Sequence, residues 1–195
     1  MTILGITGGS GAGKTTALEA LLDMGAEIID CDAVYHELLK AGGPMLDELE
    51  ERFPGVVADR QLDRKALGQI VFHDPAALSD LNAITHGYVS RAVEERLAAL
   101  AVAGTELVVI EAIALMESGI AARCDLVVGV LAPPVDRVRR IMAREGITSA
   151  YATARIESQK PDEFFRTHCD YILENTHPSP EAFAEACRGL FRRIL

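Results

Sequence analysis

Nowhere in the 195-residue sequence is there an apolar run of the roughly 20 residues that a membrane-crossing helix needs; the longest, 107–110 and 126–132, are strand length. A helical membrane span is excluded on that ground. The opening residues, MTILGITGG, have neither the basic flank nor the apolar stretch of a secretory leader. A cytoplasmic location is therefore expected. The four cysteines (Cys31, Cys124, Cys169, Cys187) form no C-x-x-C pair. That spacing supports neither a zinc site nor a disulfide framework, and the thiols are expected to be reduced and to pack. Positive charge is scarce too: 19 Lys and Arg stand against 29 Asp and Glu, for a net charge of -10. So acidic a chain lacks the broad basic surface that phosphate backbones require, and nucleic acid is not an expected partner.

The charge is unevenly spread. Between Arg137 and Arg166 lie seven of the 19 basic residues and only four acids, a local charge of +3 in a chain that is otherwise acidic. This segment is the natural place to handle anions. At 195 residues and 49% hydrophobic, the chain can bury one good core with a small insertion domain, whereas two independent domains would be a squeeze.

Short runs rich in Ile, Val and Leu alternate with helical patterns, the signature of a parallel sheet wrapped by helices. Strands are expected at 3–7, 27–29, 106–111, 126–131 and 171–173. Helix starts are marked at Asp63, at Asp74-Pro75, at Pro133-Pro134 and at Ser179-Pro180. About seventy residues of mainly helical pattern separate the second and third strands, far more than a crossover needs. The expected organisation is a nucleotide-binding core, 1–32 and 105–195, with a lid at about 137–166 and a helical insertion at 33–104.

Gly8-Gly9-Ser10-Gly11-Ala12-Gly13-Lys14-Thr15 fits G-x-x-x-x-G-K-[ST] and lies between an expected strand and an expected helix. The glycines let the backbone curl so that its N–H groups meet phosphate oxygens, and the helix adds its positive end. Lys14 is expected on the β- and γ-phosphates, Thr15 on Mg²⁺ and Thr16 near the α-phosphate. A simple glycine turn would need neither the lysine nor the hydroxyl. Neither N-K-x-D nor D-x-x-G occurs, which argues against a GTP-binding switch.

Ligands of such sheets gather at the carboxyl ends of strands, and the second strand runs into Asp30-Cys31-Asp32. Asp32 is assigned the task of orienting and deprotonating the acceptor hydroxyl. Because the transition state is loose, positioning outweighs proton removal. Capping the next helix is the other role open to Asp32; Asp30 could support the metal or serve structure alone. Glu111 ends the third strand behind Val108-Val109-Ile110, where it could organise magnesium-bound waters. Arg137, Arg140 and Arg144 recur at i, i+3, i+7 and so share a helix face. Asp136 and Glu145 are expected to do little to neutralise that face. It is then either a solvated stripe or a lid that clamps the transferring phosphoryl group, with Arg155 a further candidate.

With these residues in view, the chain resembles the dephospho-CoA kinases over nearly its whole length. The markers are Thr7-Gly8-Gly9-x-Gly11-x-Gly13-Lys14, Ile29-Asp30-Cys31-Asp32, Leu81-Asn82-x-Ile84-x-His86, Arg140-x-x-x-Arg144, Arg155-Ile156-x-x-Gln159 and Asp170-Tyr171-Ile172-Leu173-Glu174-Asn175. The resemblance implies a three-layer P-loop fold with a five-stranded parallel sheet, a helical acceptor domain and a short lid. It implies ATP-dependent phosphorylation of the ribose 3′-hydroxyl of dephospho-CoA, with Mg²⁺ and ATP. Catalysis would fall to Asp32, Lys14 and Arg140. Gly8 to Thr16, Arg144 and Asn175 would hold ATP, the last against adenine, and Asp32, His86 and Glu117 would face the acceptor.

The sequence departs from the family pattern at several points. His86-Gly87 replaces His-Pro, Glu111-Ala112-Ile113-Ala114-Leu115-Met116-Glu117 replaces D-x-P-L-L-x-E, His36 stands for arginine and His177 for glycine. These changes touch acceptor and adenine contacts more than the phosphoryl-transfer centre. A P-loop kinase acting on a nucleoside, nucleotide or sugar is the alternative, and a nonenzymatic ATP-binding regulator a third reading. The expected partners are ATP and the acceptor, without nucleic acid or membrane, in a monomer or weak homo-oligomer.

Overall fold

A computed structural model describes residues 1–195. Five strands, β1 (Thr2–Thr7), β2 (Glu27–Asp30), β5 (Leu107–Glu111), β6 (Leu126–Leu131) and β7 (Tyr171–Glu174), form one sheet in the order β2-β5-β1-β6-β7. β5 and β6 run parallel to β1, and β7 parallel to β6: Thr2 pairs with Leu107, Leu4 with Leu126, and Val128 with Tyr171. β-Branched runs such as Val108-Val109-Ile110 are wholly buried, as a sheet covered on both faces requires. All five expected strands form, with ends shifted by a residue.

The chain divides into two compact units, Met1–Ile28 with Ala103–Leu195, and Ile29–Val102. In the first, α1 (Lys14–Leu22) and α9 (Pro180–Ile194) pack against each other. Ala17, Leu21, Phe183, Cys187 and Phe191 join Leu4, Ile6, Val128 and Val130 in its core. The same unit holds α6 (Pro134–Glu145) and α7 (Ser149–Glu157), which pack on each other, and α8 (Asp162–His168), which packs on β6 and β7. Ser179 caps α9 as expected, its hydroxyl accepting from Ala182 N.

The second unit contains α2 (Cys31–Ala41), α3 (Pro44–Arg52), α4 (Arg64–Val71) and the long α5 (Pro75–Val102) around Met45, Leu46, Leu49, Phe53, Val56 and Leu67. Asp63 and Asp74 each accept two backbone N–H groups at the starts of α4 and α5. The mainly helical pattern also conceals a hairpin: β3 (Val57–Ala58) pairs with β4 (Gln61–Leu62). Its two turn residues, Asp59 and Arg60, both have positive φ, 50° and 57°. That matches a type I′ hairpin turn, and the Arg60 guanidinium donates to Gly42 O. Strands of two residues leave no periodicity to read.

The cysteines are all free thiols. Burial pushes Cys187 and Cys124 up to about 12 and Cys169 to about 11. None of these three is a thiolate at neutral pH, in keeping with packing residues. No helix is long and apolar enough to cross a membrane.

Candidate functional site: a phosphate loop held from outside

Between β1 and α1 the loop is built by its partners. The carbonyl of Gly8 accepts from Lys14 Nζ at 2.8 Å, that of Ser10 from Arg137 Nε at 2.9 Å, and that of Gly11 from Arg140 Nη1 at 3.0 Å. Ala12 O accepts from both Arg140 Nη1 and Asn175 Nδ2, at 3.2 and 2.8 Å. Within the loop Ser10 N donates to Gln159 Oε1 and Ala12 N to Gly9 O, and the chain then runs directly into the N-terminus of α1. That helix starts at Gly13 with no side-chain cap and no acid in its first turn, leaving its positive end to an anion.

Two of the loop's glycines stand where no side chain fits. Gly13 has φ of 113°, and a Cβ there would lie 2.4 Å from Asn175 Nδ2. A Cβ on Gly9 would lie 2.1 Å from Arg137 Nη2 and 2.8 Å from Gln159 Oε1.

Lys14 Nζ sits 3.4 Å from Glu111 Oε1, with both side chains about nine-tenths buried. β5 thus delivers a carboxylate to the loop's lysine, where the sequence placed a strand-terminal acid. Thr15 is exposed in the first turn of α1 and Thr16 half-buried.

The arginine helix differs from the expected stripe. Arg137 is only 4% exposed and serves structure: besides Ser10 O it donates from Nη2 to Gln159 Oε1 at 2.7 Å, and Asp162 Oδ1 lies 3.8 Å from Nη1. Burial pulls its guanidinium below the ordinary value, and Asp162 offsets part of that. Glu145, expected to do little, instead pairs with Arg144 at 2.6 Å and also with Arg155. Those hydrogen bonds hold its carboxyl below the usual range. An i, i+7 pattern shows which side chains share a face, but α6 ends at Glu145 and α7 folds back beside it, which spacing cannot show. Arg137→Met removes two charge-assisted bonds from a buried site and is expected to cost about 2–4 kcal/mol. At roughly 2–4 °C per kcal/mol, a thermal melt reads this directly, and an unchanged Tm would refute the bracing role.

One cavity adjoins the loop, and a second meets it through Gln159, which hydrogen-bonds Ser10. The first, of about 370 Å³, is lined by Gly13, Thr16, Arg139, Arg140, Asn175 and His177, with Pro178 and Phe183. His177 lies over Phe183 with ring centroids 5.8 Å apart and planes at 35°. Arg139 and Phe183 were not singled out from the sequence; their neighbours come from β7 and α9, far along the chain. The other cavity, about 330 Å³, is lined by Ile113, Glu117, Ser158, Gln159, Lys160, Pro161 and Phe165. Asn175, Arg140 and Glu117 are thereby placed at cavities beside the loop, whereas Arg144 is paired with Glu145.

The remaining candidates belong to the second unit. Asp30 ends β2 and is the N-cap of α2, its Oδ1 accepting from Ala33 N at 3.0 Å. Asp32 stands exposed in the first turn, so the capping role open to it is already filled. His86 is half-buried on α5, which continues unbroken through Gly87. His36 Nδ1 lies 3.4 Å from Arg64 Nη2.

Comparison with known proteins places this arrangement. The family model described as dephospho-CoA kinase matches residues 2–181. A dephospho-CoA kinase of Paramagnetospirillum magneticum is 43% identical over 162 residues, 83% of this chain and 76% of that protein. One from Leifsonia xyli is 37% identical over 198 residues, covering 97% of this chain and all of the relative. The solved dephospho-CoA kinase of Campylobacter jejuni superposes with a TM-score of 0.70 at 25% identity, covering 98% of this chain and 96% of its own. A solved shikimate kinase of Bacteroides thetaiotaomicron, 17% identical with a TM-score of 0.55, shares the fold. With the phosphate loop, its lysine–carboxylate pair and a family match over nearly the full length, the chain belongs to the dephospho-CoA kinase family.

Proposed function

We propose that this protein transfers the γ-phosphoryl group of ATP to the ribose 3′-hydroxyl of dephospho-CoA, giving CoA and ADP in the last step of coenzyme A synthesis. The observation that carries the reading is the braced loop from Gly8 to Lys14, set in a chain with the family's full-length pattern. In the reaction the 3′-oxygen forms a bond to the γ-phosphorus as the bond to the β,γ-bridging oxygen breaks. ADP leaves, and the hydroxyl proton passes to a carboxylate.

Asp32 is assigned as that carboxylate, since it follows β2 at its carboxyl end and is not consumed as a cap. Lys14 neutralises charge on the β- and γ-phosphates, and Arg140, already on Gly11 O and Ala12 O, stands beside them. The cavity holding Asn175 and His177 takes the adenine of ATP, and the one holding Glu117 part of the acceptor. His86, on α5, is assigned to acceptor binding as well. Arg144 and Arg155, tied through Glu145, belong to the lid segment.

No group of three or more His, Cys, Asp or Glu could hold a metal alone. Mg²⁺ in phosphate sites keeps several waters and asks the protein for one or two oxygens, which Thr15 and, through water, Glu111 fit. When bound it would supply positive charge against that of the phosphates. The setting is cytoplasmic, and the partners are small molecules.

Purified protein with Mg·ATP should release ADP in the presence of dephospho-CoA and far more slowly with adenosine, a nucleoside monophosphate or a sugar. Turnover of one of these while dephospho-CoA stays inert would replace the acceptor, which Gly87 and Ala114 make the chain's own question.

A further inference from the structure

Gln159 lies in the turn between α7 and α8, 149 residues from Ser10, yet engages it twice: Oε1 accepts from Ser10 N at 3.0 Å, and Nε2 donates to Ser10 Oγ at 2.8 Å. The same Oε1 accepts from Arg137 Nη2 at 2.7 Å, while Arg137 Nε holds Ser10 O. Ser10 is thus gripped at its N–H, its carbonyl and its hydroxyl by two side chains that also grip each other. Hydrogen bonding at both ends of the amide fixes which end is oxygen, because Arg137 and Ser10 N are donors only.

The position of Gln159 gives the grip a second face. Gln159 also lines the cavity of about 330 Å³ that holds Glu117, Ser158 and Lys160. One side chain therefore touches both the phosphate loop and that cavity. A molecule entering the cavity touches the residue that holds Ser10, and a phosphate bound by the loop reaches the same residue through Ser10. Nothing else at this point need move for each to feel the other.

We propose that Gln159 is a positioning residue that couples the phosphate loop to the cavity beside it, holding the Ser10 peptide in the orientation needed for transfer. The cavity's occupant, on the functional reading above, is part of the phosphoryl acceptor; the grip on Ser10 does not depend on that reading. Leucine at 159 fills similar space but supplies neither donor nor acceptor, releasing Ser10 N and Ser10 Oγ together. Alanine at Ser10 removes only the hydroxyl.

The test is a double-mutant cycle on Gln159→Leu and Ser10→Ala, with kcat, KM for each substrate and the melting shift produced by Mg·ATP measured for all four proteins. Gln159→Leu is expected to lower kcat about tenfold or more, to raise the acceptor KM, and to shrink the Mg·ATP melting shift. Ser10→Ala alone should cost two- to fivefold, and the double variant should be no worse than Gln159→Leu by more than twofold, because both act on one linkage. A merely structural residue would lower the nucleotide-free Tm and leave the KM-to-kcat split and the nucleotide-induced shift as in the wild type; that outcome overturns the proposal, as do effects that multiply. If the wild type does not turn over dephospho-CoA, the functional reading fails, and the nucleotide-shift cycle alone still decides the coupling of Gln159 to the loop. Should Gln159→Leu not fold, Ser10→Ala decides: kcat and Mg·ATP shift both at wild-type values would end the proposal.

Discussion

Lys14→Ala is expected to lower kcat by roughly 10²–10³-fold, the loss typical of removing one preorganised charge from a transferring group. The argument rests on where the structure parks this lysine. Its ammonium donates to Gly8 O at 2.8 Å and sits 3.4 Å from Glu111. Arg137 hydrogen-bonds Ser10 O, and Arg140 hydrogen-bonds Gly11 O and Ala12 O. Neither occupies the position of the Lys14 ammonium. Lys14→Arg should not rescue activity, because a planar fork cannot reproduce a compact point charge in a space that is about nine-tenths enclosed. Single-turnover rates at saturating Mg·ATP make the measurement independent of binding. A variant within tenfold of the wild type would take Lys14 out of the chemical step.

The phosphate loop and the sheet were legible because each rests on local pattern. Glycines at fixed spacing, β-branched runs and helix caps such as Asp63, Asp74 and Ser179 announce themselves within a few residues. What surrounds the loop was not legible in the same way. Gln159 reaches Ser10 across 149 positions and Asn175 reaches Ala12 across 163. No periodicity encodes such distances. The arginines of α6 show the limit most clearly: the i, i+3, i+7 pattern correctly groups Arg137, Arg140 and Arg144 on one side of a helix. It could not say that the first is buried against Ser10, the second spans two loop carbonyls, and the third is tied to Glu145. The hairpin at Val57–Ala58 and Gln61–Leu62 was hidden for a different reason, since two-residue strands carry too little alternation to be distinguished from a turn. Asp30 and Asp32 were the reverse case. Cap and chemistry were both read at Asp32, with Asp30 as a metal partner or structural residue, and local geometry gives the cap to Asp30 instead.

That division of labour makes Asp32→Asn the most discriminating experiment on the chemical step. Because Asp30 already accepts from Ala33 N and Asp32 is exposed, the substitution removes no cap and buries no group. Its effect on stability should stay within about 0.5 kcal/mol, as for surface changes generally. Turnover is another matter: loss of a positioned acid–base group costs roughly 10²–10⁴-fold, and kcat should fall into that range while nucleotide affinity is kept. Asparagine retains a side-chain oxygen able to accept a hydrogen bond from the acceptor hydroxyl, but it cannot take the proton. Alanine can do neither. In a loose transition state the proton leaves late and orientation dominates, so Asp32→Ala should be slower still than Asp32→Asn. Equal losses in the two variants would shift the weight to proton acceptance. An Asp32→Asn protein with unchanged kcat would remove Asp32 from the chemistry and leave it a solvated acid on the first turn of α2.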